Sequence, residues 1–189
     1  MRQWQPTARA LRRGFTLVEL MIVVVIVGVL ATLAVYATRR YIASAKTGEA
    51  IQLIGSIKSG EEAYKDETFT YLDVTGSLKT FYPSNSKPGQ AKVMWGGGSS
   101  DVVTKWSTIG VAPTAPVLFV FACKAGGPDD KVESPTDNND ITVSNWPTAA
   151  TGLAWYVVKA KADLDAGDNL TTYVAPSFTN QIFSANEGQ

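Results

Sequence analysis

The chain has 189 residues, 45% of them hydrophobic, and its 17 basic and 17 acidic residues leave no net charge. This length suits one globular domain with an addition, and the composition excludes both wholesale disorder and the basic excess of a nucleic-acid binder. There is no histidine, which removes the commonest general base and the commonest transition-metal ligand. A single cysteine, Cys123, excludes an intramolecular disulfide and a multi-thiolate zinc site. Neither a nucleophile–base pair nor a metal cluster is evident, so an enzyme is not expected.

The charge is unevenly placed. Arg2, Arg9, Arg12 and Arg13 all fall within the first 14 residues, where there is no acid, leaving 13 basic against 17 acidic residues from Phe15 onward. The run from Phe15 to Thr38 then holds one charge, Glu19. As a helix its 24 residues would extend about 36 Å, enough to cross a hydrocarbon core of about 30 Å. From Leu20 to Ala37 it is apolar on every face except at Thr32, where a soluble amphipathic helix would show a stripe. It is longer than the apolar region of a secretory signal, and no Ala-x-Ala cleavage site follows it. Arg39, Arg40 and Lys46 flank the far end, so the positive-inside rule favours a cytoplasmic N-terminus only slightly.

Helical character continues beyond Arg40. There is no proline between Pro6 and Pro83, and Ala43, Ala50, Ile51, Ile54, Ile57 and Tyr64 form an apolar stripe at three- and four-residue spacing. Gly48, Gly55 and Gly60 each cost about 1 kcal/mol relative to alanine, so this part needs tertiary support. The expected helix runs over 15–65, with a break near Gly48 as the alternative. Residues 66–189 are punctuated by prolines and by Gly96-Gly97-Gly98, which suits strands and loops. Strands are expected over 117–123, 153–162 and 170–175, with a fourth candidate over 178–183. Lys159 and Lys161 alternate with apolar residues, which suggests a half-exposed antiparallel strand. The segments 67–116 and 124–152 are expected to be long irregular connections. Cys123, inside the first strand, reads as a small buried hydrophobe. The expected fold is therefore α+β: a long N-terminal α-helix, its first half transmembrane, packed on a small antiparallel β-sheet head. The divisions are a leader over 1–14, a membrane half over 15–38, an amphipathic half over 39–65 and the head over 66–189.

The segment Arg12-Arg13-Gly14-Phe15-Thr16-Leu17-Val18-Glu19-Leu20 resembles the class III signal of type IV prepilins and of type II secretion pseudopilins. Leader charge, glycine, phenylalanine, acid and long apolar run all occur in the family's order. The resemblance implies a pilin-like fold, cleavage between Gly14 and Phe15 by a prepilin peptidase on the cytoplasmic side, and N-methylation of the new Phe15 amine. It also implies that Glu19 neutralises the Phe15 amine of a neighbouring subunit during assembly. The simpler reading of Glu19 is a first-turn acid near the headgroups, favoured by the helix dipole. Implied partners are copies of the chain itself, the peptidase, the inner-membrane pilus assembly machinery and, before assembly, the membrane. No specific nucleic acid is expected. The precursor would reside in the bacterial inner membrane and the assembled subunit in an extracellular pilus serving adhesion, twitching motility or DNA uptake. A secretion pseudopilin is the alternative, and a single-pass membrane-anchored binding or sensory domain is a third reading.

Ala162-Asp163-Leu164-Asp165 and the ending Ala185-Asn186-Glu187-Gly188-Gln189 are similar to delta-proteobacterial-type major pilins. Asp163, Asp165 and Asp168 are weak calcium candidates that lack the terminal acid of an EF-hand, and a solvated turn is the better reading. No other cofactor is indicated. Asn169-Leu170-Thr171 is a glycosylation sequon with little weight. The family's C-terminal disulfide loop is absent, so the head is expected to rely on sheet packing, with calcium at the weak aspartate candidates as an addition.

Overall fold

The computed structural model describes residues 14–83, 91–137, 140–147, 149–164 and 170–187. The chain divides into two units, residues 1–40 and 41–189. The fold is α+β. Helix α1 (Leu17–Thr68) belongs to both units and is continuous through Gly48, as expected, without the alternative break there.

In the first unit, every side chain from Leu17 to Thr38 is exposed. This 22-residue segment is long and apolar enough to cross a membrane. The helix opens with Thr16, whose Oγ1 accepts the Glu19 backbone N–H at 3.2 Å. That bond satisfies one of the donors left over at a helix N-terminus, and Thr16-Leu17-Val18-Glu19 has the spacing of a capping box.

In the second unit, the rest of α1 is amphipathic. Ala50, Ile54 and Ile57 are fully buried, at the three- to four-residue spacing of one helix face. Each isoleucine buried there stabilises the head by about 1.5–3 kcal/mol. Ile51, counted in the expected stripe, falls outside it and is exposed. Gly60 is required where α1 meets the next helix: a Cβ there would lie 2.0 Å from the Ile109 carbonyl oxygen.

The expected irregular connection over 67–116 contains a helix, α2 (Ser100–Thr108), which buries Trp106. It stops at Gly110 (φ +72°), with Gly110 N–H bonded to Ser107 O and Val111 N–H to Trp106 O. This pair of bonds is the Schellman arrangement that satisfies the last carbonyls. Helix α1 ends differently. Phe69 takes the left-handed conformation (φ +64°) and its N–H closes on Lys65 O at 2.7 Å. Glycine normally fills this position, and a side chain here costs about 1–2 kcal/mol.

Among the described residues the sheet has four antiparallel strands in the order β1 (Val120–Gly126), β2 (Trp155–Ala162), β3 (Thr171–Pro176) and β4 (Phe183–Ala185). The four expected strands thus exist, each displaced toward the C-terminus at one or both ends. The two-residue period of a strand sorts the side chains. Phe121, Cys123, Tyr156, Val158, Ala160, Tyr173 and Ala175 pack with Ala50, Ile54, Ile57 and Trp106 in one core. Trp155, Val157 and Val174 face the other way and pack with Leu78, Val132 and Ile141 in a second.

The second core corrects the half-exposed reading of β2. Lys159 is fully buried and Lys161 nearly so, because the 124–152 connection folds over that face of the sheet. The alternation of lysine with apolar residues is real, but it marks a covered polar seam and not a solvent face. Asp140 meets both ammonium groups, at 2.8 Å from Lys159 and 2.6 Å from Lys161, and Asp137 lies 3.6 Å from Lys161. Lys159 also donates to the Pro135 carbonyl.

Candidate assembly site at the start of the helix

The residues singled out at the N-terminus lie in one short stretch. Gly14, Phe15 and Thr16 precede the first helical turn, and Glu19 sits within that turn. The Phe15 ring is 81% exposed. The leader residues 1–13, with Arg2, Arg9, Arg12 and Arg13, lie outside the described residues. Gly14 is exposed, with open space around the position a Cβ would take.

Glu19 has its backbone N–H capped by Thr16, while its side chain is exposed and makes no hydrogen bond or ion pair among the described residues. The sequence reading passed over this capping role, although the Thr-x-x-Glu spacing was visible. A first-turn carboxylate is favoured by the helix dipole, and its oxygens remain open to a cation from elsewhere. Thr32 and Thr38, the polar interruptions further along, return their hydroxyls to Val29 O and Ala34 O. The apolar surface therefore carries no unsatisfied hydroxyl donor at either position.

Of the calcium candidates in the head, Asp163 is among the described residues, while Asp165 and Asp168 lie outside them, as do Asn169 and the last two residues of the chain. No group of three metal-ligating side chains occurs among the described residues.

Two buried polar arrangements that the sequence reading did not single out hold the head together. Glu61, fully buried, accepts the Leu72 backbone N–H at 2.9 Å and the Cys123 thiol at 3.3 Å. Burial, outweighing those two donors and reinforced by Asp73 and Glu62, pushes its carboxyl up to about 7. Burial and the same carboxylate push the Cys123 thiol well up, which makes it unreactive. The Lys159–Asp140–Lys161 cluster is the second arrangement. Burial acts to raise the Asp140 carboxyl, but the hydrogen bonds from Lys159 and Lys161 outweigh it and hold it below the ordinary range. Burial lowers Lys159, and Asp140 offsets this only in part.

An exposed apolar helix with a capped first-turn acid, leading into a small two-cored antiparallel sheet, is a pilin-like build. Residues 9–35 match the prokaryotic N-terminal methylation motif. The chain is 30% identical over 96 residues to the fimbrial protein EcpC of Eikenella corrodens, covering 51% of this chain and 63% of that protein. It is 40% identical over 85 residues to the type IV major pilin protein PilE of Neisseria gonorrhoeae, covering 41% and 51%. Against the type IV major fimbrial protein FimA of Dichelobacter nodosus the identity is 46% over 50 residues, covering 26% and 31%. The chain thus spans less than two thirds of the length of these curated relatives. No solved structure matches it. The chain is thus similar, over part of its length, to type IV pilins and fimbrial proteins.

Proposed function

We propose that this chain is the precursor of a structural subunit of a type IV pilus, cleaved between Gly14 and Phe15 and then polymerised. The observation that carries the proposal is the match of residues 9–35 to the methylation motif, laid over a helix whose apolar surface is exposed from Leu17 to Thr38. Such a surface is accommodated by a bilayer first and by copies of itself afterwards.

On this reading a prepilin peptidase releases the Phe15 amine and methylates it. Methylation leaves the amine cationic, so it can pair with Glu19 of a neighbouring subunit. Two unlike surfaces joined head to tail, without closing, generate an open helical filament. The subunit pool would lie in the inner membrane, handled by the pilus assembly machinery, and the polymer outside the cell. The relatives are named as pilins and fimbrial proteins, which favours a pilus over a secretion pseudopilus. The same names support a structural role.

The test is the intact mass of the chain from membranes and from sheared surface material. A mass beginning at methylated Phe15 in the sheared fraction is expected. Chains that all retain Met1 and remain in the membrane would refute the proposal.

A further inference from the structure

From the head's two ends along α1, we infer that Phe69 of one copy docks into a groove beside Ile42 of another, as a specific contact between copies. The inference rests on the proposed polymerisation and names the surfaces that meet. The upper end of α1 combines features that work against local stability. Phe69 occupies the left-handed position where glycine is usual, and its ring is 85% exposed. Asp66 and Glu67 lie exposed in the last turn, beside the negative end of the helix dipole, where cations are favoured. With Glu62, three acids surround this end against one base, Lys65, which is engaged by Tyr71. An aromatic ring held out to solvent in an unfavourable backbone conformation, ringed by acids, has the character of an anchor awaiting a partner.

The lower end of the same unit offers the complement. A groove of about 330 Å³, ample for one aromatic ring, is lined by Tyr41, Ile42, Ala45 and Leu118, with Lys46 and Lys92 at its margin against one acid, Glu49. Glu49 accepts the Leu118 N–H at 2.5 Å and pairs with Lys92 at 2.8 Å, so the groove's net positive charge is that of Lys46, whose ammonium meets the neutral Leu164 carbonyl at 3.4 Å. The groove is thus apolar with a basic margin, and the tip is aromatic with an acidic margin. Charge complementarity of this kind fixes register and orientation between partners.

The occupant is a second copy, because one chain cannot satisfy both surfaces itself. Residues 42 and 69 are separated by 27 positions along one helix and its cap, about 40 Å at 1.5 Å per residue. A tip and a groove at opposite ends of one body make a heterologous contact, which propagates and does not close. The axial offset between the two copies in contact is then about 40 Å.

The first experiment compares Phe69→Gly with wild type for thermal stability of the full chain in detergent and for yield of sheared filaments. Glycine relieves the backbone, so stability should be equal or higher, while filament yield falls at least tenfold. Wild-type yield from Phe69→Gly would overturn the inference. The second is an Ala45→Cys/Thr70→Cys double variant, which keeps Phe69 and Ile42 and places the thiols in the groove and beside the tip, oxidised within assembled filaments. A ladder of disulfide-linked multimers, absent from each single variant, is expected. Assembled filaments of that double variant that yield only monomers would overturn the contact while leaving the polymer reading intact. Failure of wild type to form filaments would instead refute the polymer reading, and the inference with it.

Discussion

Replacing Glu61 by glutamine removes a carboxylate that the head buries completely while keeping most of its shape. The carboxylate has two donors, Leu72 N–H at 2.9 Å and the Cys123 thiol at 3.3 Å, and neither is a cation. In the unfolded chain the carboxyl titrates near 4.5, and in the folded head near 7. Below about pH 4.5 both states are protonated and the group has no effect on the balance. Between the two values the unfolded chain has released its proton and the folded one has not, so stability falls as pH rises; above about 7 it stays flat. At 1.36 kcal/mol per pH unit, the difference of about 2.5 units amounts to about 3 kcal/mol. The glutamine amide keeps a carbonyl for Leu72 and carries no charge at any pH. Glu61→Gln should therefore match wild type near pH 4.5 and exceed it by up to about 3 kcal/mol at pH 8. For a head of this size that is a rise of roughly 6–12 °C in melting temperature. Thermal unfolding of the full chain in detergent, followed by near-ultraviolet circular dichroism of its tryptophans from pH 4.5 to 8.5, gives the comparison. An unchanged pH slope in the variant, or an equal loss of stability at every pH, would refute the reasoning.

The other predictions concern packing and assembly. Asp140→Ala leaves the ammonium of Lys159 buried without its counter-ion and should destabilise the head by about 3–5 kcal/mol, read as a fall in the denaturation midpoint. Gly60→Ala forces α1 away from the Ile109 carbonyl and should cost about 1–3 kcal/mol, whereas Gly55→Ala, with open space around it, should not. Glu19→Ala should insert into membranes normally and lose filament assembly; wild-type fibre yield would show that the pairing with Phe15 is wrong.

The apolar first part of α1, over 17–38, was legible because its signal is local. A run of two dozen apolar residues is long enough as a helix to cross a bilayer, and Gly14, Phe15 and Glu19 stand at fixed offsets from its start. The strands were legible in number but shifted in register, since hydrophobicity marks which residues are buried and not where ladder pairing stops. Helix α2 was missed although its parts are local: Ser99 precedes it, Val102, Val103 and Trp106 carry the helical spacing, and Gly110 ends it. The neighbouring glycines and prolines outweighed a nine-residue pattern. The Lys159–Asp140 and Glu61–Cys123 contacts could not be read in advance, because their partners are separated by 19 and 62 positions and neither spacing has a local signature. What the sequence shows at Lys159 and Lys161 is alternation, and alternation is equally consistent with water or with a covering loop.

These two buried arrangements respond to pH in opposite directions, and their opposition makes a further prediction. The Asp140 carboxyl is held below its ordinary value by Lys159 and Lys161. Its contribution is complete above the unfolded value near 3.8 and disappears as pH falls through the lower folded one. Glu61 behaves inversely, with full stability below about 4.5 that declines toward 7. The head should therefore be most stable in mild acid, at roughly pH 4–5, and not at neutrality. Glu61→Gln should flatten the alkaline side of that profile and leave the acid side intact. Asp140→Asn should flatten the acid side, at lower stability throughout because the Lys159 cation loses its counter-charge. Melting temperatures of the three proteins over pH 3–8 separate the two causes. A wild-type maximum at pH 7 or above would show that the buried Glu61 carboxylate is stabilised by more than Leu72 and Cys123.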